Sequence, residues 1–229
     1  MVICARRADV LEATATTIAT DTGGSVLPVV ADVSRADEVE RLIATTVERF
    51  GRIDALVNNA GTSRAGPFDG VSDDEWQADL DLKLFAAIRT IRLAVPHMRA
   101  AGAGSIVNVL STSAKSPSAA SLPTSVSRAA GMALTKALSK ELGPAGIRVN
   151  AVLIGLVEAA QHEQRWQRSG APGTLDEYYA AAVRDRGVPL GRAGTAAEVA
   201  DLITFLCSPR GAYVSGAAIN VDGGSSPAV

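Results

Sequence analysis

Apolar runs of strand length alternate with segments of helical periodicity along most of the chain. The predicted strands are residues 2–4, 25–30, 55–57, 105–109, 148–152 and 218–221. The predicted helices are residues 9–20, 35–50, 73–100, 125–142 and 196–207. This alternation is typical of βαβ units joined by right-handed crossovers. We therefore expect an α/β fold with a doubly wound, mostly parallel sheet and helices on both of its faces.

Two segments depart from simple alternation. The long 73–100 segment has large apolar residues at spacings of three and four, which predicts one helix with a single inward stripe. The members of that stripe are Trp76, Leu80, Leu84, Ile88, Ile91 and Val95. By contrast, residues 158–189 are polar and show no clear period, so we expect an irregular lid over a ligand cleft.

Composition limits the class of protein. A length of 229 residues with 47% hydrophobic residues suits one domain spanning 1–229. The net charge of −2 argues against a nucleic-acid partner, whose binding surface would normally be basic. No apolar run reaches the roughly 18 residues that a membrane helix needs, and the start of the chain lacks a signal-peptide pattern. We therefore expect no membrane partner and a cytoplasmic protein.

Polar and small residues follow several predicted strands at the edge where a parallel sheet binds ligands. Asn58-Asn59-Ala60-Gly61 ends one strand, although such a sequence can also form an ordinary turn. Asp32 follows another strand, where its carboxylate can accept a hydrogen bond from an adenine amino group. His97 and His162 have no metal-like spacing to any partner, so we expect no metal site.

The sequence after the 105–109 strand carries the most specific pattern. Ser111 is followed thirteen positions later by Thr124-Ser125-Val126-Ser127-Arg128, and then by the small residues Ala129-Ala130-Gly131. This frame resembles the active-site stretch of the short-chain dehydrogenase/reductase family, in which a serine precedes a Tyr-x-x-x-Lys pair by the same spacing. Further segments in the family's order extend the resemblance from Val2 to Gly224. They are Asp32-Val33, Asn58-Asn59-Ala60-Gly61, residues 104–109, Gly191-Arg192 and Val221-Asp222-Gly223-Gly224.

The resemblance implies a Rossmann-type sheet and a nicotinamide-dependent oxidoreductase that transfers hydride to or from a small-molecule carbonyl or alcohol. It also implies a homodimer or homotetramer. A basic residue after the family's second strand meets a 2′-phosphate, and Arg6 and Arg7 stand there, which favours NADP over NAD because guanidinium groups match phosphate oxygens in pairs. A solvated helix start is the alternative for this pair. The cofactor contacts that the resemblance implies are Arg6, Arg7, Asp32, Val33, Asn59, Ala60, Gly61 and Gly155.

The catalytic pair of the family is replaced. Thr124 stands at the tyrosine position, and an aliphatic hydroxyl is far less acidic than a phenol, so it cannot supply a proton directly. It can hydrogen-bond a carbonyl group, or cap the helix that follows Pro123, and we favour the cap. Arg128 stands at the lysine position, where it can bind ribose hydroxyls but cannot lose its proton. A surface arginine is the alternative.

Two further residues complete the candidate catalytic set of Ser111, Thr124, Arg128 and Lys83. Lys83 stands where the family has a helical asparagine, and its apolar neighbours predict a buried stem. It can supply a cation or a proton, and an interhelical ion pair is an equally open alternative. Ser111 is retained, and its hydroxyl can orient a carbonyl oxygen.

The family's first strand and its Gly-rich turn have no counterpart before Val2. That turn holds the pyrophosphate, so its loss puts cofactor binding in doubt, and the missing strand lies in the middle of the usual sheet. We expect that about thirty residues are missing before Met1, through a misplaced start codon or a truncation of the chain. Two functional hypotheses remain: an NADP-dependent oxidoreductase with an altered proton path, and a non-catalytic member that binds a dinucleotide or small molecule, or assembles with an active relative.

Overall fold

The computed structural model describes residues 1–170 and 172–229. Its strands are β1 Val2–Ala5, β2 Leu27–Val30, β3 Ala55–Asn58, β4 Ala65–Gly66, β5 Gly104–Ser111, β6 Leu122–Pro123, β7 Ile147–Ile154 and β8 Ala218–Val221. Its helices are α1 Ala8–Thr22, α2 Ala36–Phe50, α3 Asp73–Leu80, α4 Ala86–Ala101, α5 Thr124–Leu142, α6 Ala160–Ser169, α7 Leu175–Asp185 and α8 Ala196–Cys207. Every predicted strand and helix has a counterpart, and the short strands β4 and β6 were not predicted.

The strands form a mostly parallel, Rossmann-type arrangement, which confirms the predicted fold class. Four parallel strands lie in the order β3-β5-β7-β8, and β1 and β2 form a separate parallel pair. No ladder joins β1 to β3 within the described residues, so the sheet is interrupted between them. The interruption falls where the family's strand order has its first strand.

The central strands β5 and β7 are buried on both faces, which explains why they read as continuous apolar runs. On one face, Ile106 packs with Ile91 and Met98 of α4. On the other face, Val107 packs with Leu206 of α8. These two clusters are formed by helices on opposite sides of one sheet, and they fix α4 and α8 to its two faces.

Helix α2 packs against both groups of strands. Leu42 belongs to the cluster around Val29 of β2, whereas the next residue, Ile43, packs with Ile53 and other residues beneath the four-stranded sheet. Adjacent residues on a helix point about 100° apart, so one helix can cover two neighbouring surfaces. Because no ladder joins the two groups, packing on α2 is a main connection between them.

The predicted 73–100 helix is interrupted by a π-helical turn at Asp81–Phe85. A π turn adds one residue to the helical repeat and rotates the residues that follow, and such turns are frequent at functional sites. Of the predicted inward stripe, Ile91 and Val95 are buried, but Leu84 and Ile88 are only half-buried. The buried face of the π turn is formed instead by Lys83, so a single uninterrupted stripe was wrong.

The prediction of an irregular 158–189 segment is also wrong, because it contains α6 and α7; Ala171 lies outside the described residues. Helix α7 begins with a capping box in which Thr174 and Glu177 exchange side-chain to backbone hydrogen bonds. The helix then packs Val183 against Leu156. Across the described chain, no helix combines the length and apolarity that crossing a membrane would require.

Candidate active site

Lys83 is the centre of a buried polar cluster beside the start of α5. Its side chain has no exposure to solvent, and that of Asp79, one turn earlier, is 1% exposed. The Lys83 ammonium donates hydrogen bonds to Asp79 Oδ1 and, over 2.7 Å, to Thr124 Oγ1. The buried stem expected from the sequence is present, but an interhelical ion pair was wrong because the carboxylate lies at i−4 on the same helical segment.

Thr124 is the first residue of α5, but its hydroxyl does not cap the helix. The side chain turns toward the loop before β4, where Oγ1 donates to the carbonyl of Arg64 at 2.5 Å and accepts from the Arg64 backbone N–H at 3.2 Å. The favoured capping role was therefore wrong: a cap is supplied by the residue before the helix, and that residue is Pro123. Instead, the hydroxyl links Lys83 to a backbone loop.

Arg128 lies one turn further along α5 and is not a surface arginine. Its Nη1 donates to the carbonyl of Val109 on β5 at 2.8 Å, and its Nε is buried with no hydrogen-bond partner among the described residues. Nη2 lies over Gly61, where an added Cβ would be 2.6 Å away. Burial lowers the pKa of this guanidinium, and the charge of Asp79 opposes that effect. Arg128 therefore joins α5 to the ends of β3 and β5.

Ser111 is the last residue of β5, two positions beyond the carbonyl that Arg128 contacts. It is half-buried, and its hydroxyl accepts from the N–H and the hydroxyl of Ser113 at 3.3 and 3.1 Å. In the part of the chain that the structure describes, no hydrogen bond joins Ser111 to Lys83, Thr124 or Arg128. The structure thus connects Lys83 and Thr124 directly and places Arg128 beside them, whereas Ser111 stands apart on the neighbouring strand end.

Sequence reasoning missed Asp79 and Ser127. The Ser127 hydroxyl donates to Asp79 Oδ2 at 2.7 Å, and both residues are buried. The i, i+4 spacing of Asp79 and Lys83 was visible in the sequence as a pair on one helix face. That Ser127 completes the cluster required the packing of α5 against α3.

A chain of side-chain amides and hydroxyls fixes the strand ends near the site. Asn58 donates to Asn108 at 2.9 Å and accepts from Thr90 at 2.7 Å, and Asn108 donates to Thr135 at 2.9 Å. These bonds connect β3 and β5 to α4 and α5. The residues after Asn58, namely Asn59, Ala60 and Gly61, are exposed and continue from a rigid strand end.

The predicted adenosine-side residues lie at the ends of β1 and β2. Asp32 Oδ1 accepts from the N–H and hydroxyl of Ser34, and these bonds, with the charge of Arg6, hold the pKa of Asp32 below its ordinary value. Val33 packs in the core with Val39 and Ala86, so only its main chain remains for a ligand.

Gly155 is the first residue after β7, and the close approach of Asp222 explains why a glycine stands there. An added Cβ there would be 2.6 Å from Asp222 Cβ and 2.8 Å from Asp222 Cα. The Gly155 N–H donates to the carbonyl of Val221 at 3.0 Å. The residue therefore allows the chain after β8 to pass closely, and the structure describes no further group beside it that points to a ligand.

The strand order, the polar strand ends and the position of Thr124 and Arg128 on α5 can be compared with known proteins. A family model described as enoyl-(acyl carrier protein) reductase matches residues 1–226. The chain belongs to the short-chain dehydrogenase/reductase family. The 3-oxoacyl-(acyl-carrier-protein) reductase of Thermotoga maritima is 34% identical over 201 residues, which are 88% of this chain and 77% of that relative.

Two solved structures of the family cover all of this chain. A short-chain oxidoreductase from Pseudomonas aeruginosa PAO1, described as NADPH-bound and as containing an atypical catalytic centre, is 33% identical with a TM-score of 0.92, and 87% of that chain is covered. The L-sorbose reductase of Gluconobacter frateurii, in complex with NADPH and L-sorbose, is 32% identical with a TM-score of 0.95, and 87% of it is covered. These likenesses support a nicotinamide dinucleotide as the ligand class of this short-chain dehydrogenase/reductase.

The described residues fit part of such a dinucleotide. Arg6 and Arg7 are exposed and form no ion pair among the residues described, so both guanidinium groups are available to a phosphate. Gly61 is exposed beside Arg128, whose Nε is buried and has no hydrogen-bond partner among the described residues. Within the described chain no cluster of His, Cys, Asp and Glu is suited to hold a metal ion.

Proposed function

We propose that the chain is an NADP(H)-dependent oxidoreductase that reduces a carbonyl group, or oxidises an alcohol, on a small molecule through an altered proton path. The observation that carries the proposal is the 2.7 Å hydrogen bond from the Lys83 ammonium to the Thr124 hydroxyl, at the position of the family tyrosine. A threonine hydroxyl alone is a poor acid, but a hydroxyl bonded to an ammonium can pass a proton on.

Lys83 is the proton source and Thr124 is the relay. In reduction, Thr124 releases its proton to the substrate oxygen and receives one from Lys83; in oxidation the direction is reversed. The Thr124 hydrogen, which is donated to the Arg64 carbonyl, must turn to the substrate for this step. Burial lowers the pKa of Lys83, and a lower pKa brings an ammonium closer to the range in which it is an effective acid.

The remaining candidate residues bind and orient. Arg128 keeps its proton and contributes a fixed positive charge near the developing alkoxide, while the Ser111 hydroxyl orients the carbonyl oxygen. Arg6 and Arg7 bind the 2′-phosphate, Asp32 accepts from the adenine, and residues 59–61 present their backbone to the nicotinamide side. The dinucleotide, when bound, supplies or accepts the hydride. The NADPH complexes of the two related structures support this cofactor choice.

The proposal is tested by measuring NADPH binding through nicotinamide fluorescence and reduction of a ketone panel. Lys83→Met should lower kcat by about 10²- to 10⁴-fold, the usual contribution of a general acid, with NADPH affinity retained. Lys140→Met, an exposed lysine on α5, is the matched control and should keep the parent rate.

Two results would contradict the proposal: no NADPH binding at millimolar concentration, or a Lys83→Met rate equal to that of the parent. Binding without turnover would support the non-catalytic alternative, particularly if Thr124→Tyr with Arg128→Lys then reduced ketones. The homodimer or homotetramer and the cytoplasmic location stay predictions.

A further inference from the structure

Asp79 occupies a buried position that the proton path described above does not use. Its two carboxylate oxygens face different elements: Oδ1 accepts from Lys83 in the π turn, and Oδ2 accepts from Ser127 on α5. Asp79 is 4% exposed and Ser127 is 1% exposed. The carboxylate therefore lies between α3 and α5 with protein donors on both oxygens.

The fold alone gives little reason for a charge here. Removing two charges from water is unfavourable, and replacing a buried ion pair by apolar residues of similar volume is often neutral or stabilising. The clusters to which the neighbouring helix α4 contributes are apolar. A buried carboxylate is most readily explained by the group that it holds, which is the Lys83 ammonium.

The geometry also restricts where that ammonium can go. Lysine has a flexible four-carbon stem and three donors. With one donor on Asp79 and a second on Thr124 Oγ1, the Lys83 Nζ is held by hydrogen bonds to two different elements, α3 and α5. Ser127 fixes Asp79 in turn, so the orientation of Lys83 depends on α5 at both Thr124 and Ser127.

We propose that Asp79 is a positioning residue, which holds the Lys83 ammonium against the Thr124 hydroxyl and supplies the negative charge that this buried cation needs. The proposal rests on the proposed function, because Lys83 is the proton source there. Asp79 does not touch the substrate and acts through Lys83, with Ser127 as its anchor.

The charges around Lys83 give the direction of the expected effect. Burial lowers the pKa of Lys83 most strongly, and the positive charges of Arg128 on α5 and Arg64 in the loop before β4 lower it further. Asp79 is the group that raises it. Without this carboxylate the pKa of Lys83 falls, so the protonated form needed for carbonyl reduction is lost at a lower pH.

The chain has four lysines, Lys83, Lys115, Lys136 and Lys140, so an NMR titration of ¹³C-labelled lysine ε-carbons can follow Lys83 individually. Lys83→Met assigns its resonance. Asp79→Asn should move the Lys83 titration to lower pH, whereas Asp79→Glu should keep it near that of the parent. Asp74→Asn, an exposed carboxylate on the same helix, is the matched control and should leave it unchanged.

Kinetics provide the second readout. At neutral pH, Asp79→Asn should lower kcat for ketone reduction by roughly tenfold or more, because part of the general-acid contribution of Lys83 is lost. The alkaline limb of the pH profile of kcat should also move to lower pH. KM for NADPH should stay within the range of the Asp74→Asn control. Asp79→Glu should restore much of the rate, which a purely structural role would not require.

An unchanged Lys83 titration in Asp79→Asn overturns the proposal whatever the rates show. If Asp79→Asn does not fold, Ser127→Ala provides the second variant: it removes the hydrogen bond that anchors Asp79 to α5. A Lys83 titration and a kcat both equal to those of the parent in Ser127→Ala would then overturn the proposal. A parent protein without turnover would contradict the proposed function alone, because the lysine titration judges the role of Asp79 independently.

Discussion

At the residue scale, the pair that replaces tyrosine and lysine is understood only with its neighbours. Thr124 is bonded to Lys83, and Arg128 is enclosed between Val109 and Gly61. The sequence marked these positions as candidates, because their spacing from Ser111 is a local property. It could not show that the threonine hydroxyl faces a buried lysine, since this depends on how α5 packs against the π turn.

Gly61→Ala tests the close approach of Arg128 to the end of β3. The new Cβ would lie 2.6 Å from Nη2, so the guanidinium must shift, and its bond to the Val109 carbonyl would weaken. We expect a loss of about 1 kcal/mol in the free energy of unfolding, the low end of the cost of overpacking, because the displaced atom is the end of a long side chain. Urea denaturation measures it.

Gly143→Ala is the control for that change, because an added Cβ at Gly143 meets nothing within 4 Å. Its backbone φ of −52° suits alanine. Gly61→Ala and Gly143→Ala of equal stability would show that Arg128 has room to move, contrary to the packing described here.

At the element scale, helix ends and turns decide most differences between the predicted and observed structure. Helix α7 was missed because its segment is polar, yet the Thr174-x-x-Glu177 pattern of a capping box was present in the sequence. The π turn within 73–100 was missed because hydrophobic spacing does not distinguish a π turn from a continuous α-helix. That turn places Lys83 on the buried face.

The start of α8 leads to a pH prediction. Glu198 accepts from the N–H of Thr195 and from Arg192, and these bonds lower its pKa from 4.5 to about 2. Because the folded pKa is depressed, the stabilisation is present above the unfolded value of 4.5 and is lost as pH falls through about 2. The effect is modest, since the group is exposed to solvent.

Melting temperatures of the parent and Glu198→Gln, measured between pH 2 and 7, check this expectation. Above pH 4.5, the pKa of Glu198 in the unfolded chain, the parent should have a higher melting temperature than Glu198→Gln by a constant amount. This difference in melting temperature should shrink as the pH falls toward 2. Glu40→Gln, an exposed change on α2, is the matched control for the loss of one surface carboxylate. A difference that persists undiminished at the acid end would contradict the role of the Glu198 carboxylate.

At the scale of the whole molecule, the interrupted sheet is the main feature. Strand β7 is paired on both sides, whereas β1 and β3 each have a single partner among the described residues. Hydrophobic packing around α2, through Leu42 and Ile43, connects the two groups. The sequence predicted this interruption from the family order, and the structure shows which helix spans it.

Amide hydrogen exchange should distinguish the strands. Edge-facing amides of β1 and β3 are open to solvent and should exchange with opening free energies near 0, while those of β7 require global unfolding, about 5–15 kcal/mol for a typical domain. Equal protection of β3 and β7 would mean that the edge of β3 is covered in solution.

The sequence by itself determined the α/β class, the order of the longer strands and of the helices that flank them, and the family, because hydrophobic periodicity and motif spacing are properties of the linear chain. The tertiary structure alone decided the contents of the site. Lys83 meets Thr124 across 41 residues, and Asp79 meets Ser127 across 48. Such contacts depend on the π turn and on the packing of α3 against α5, and these are fixed only when the apolar faces of distant segments are buried together.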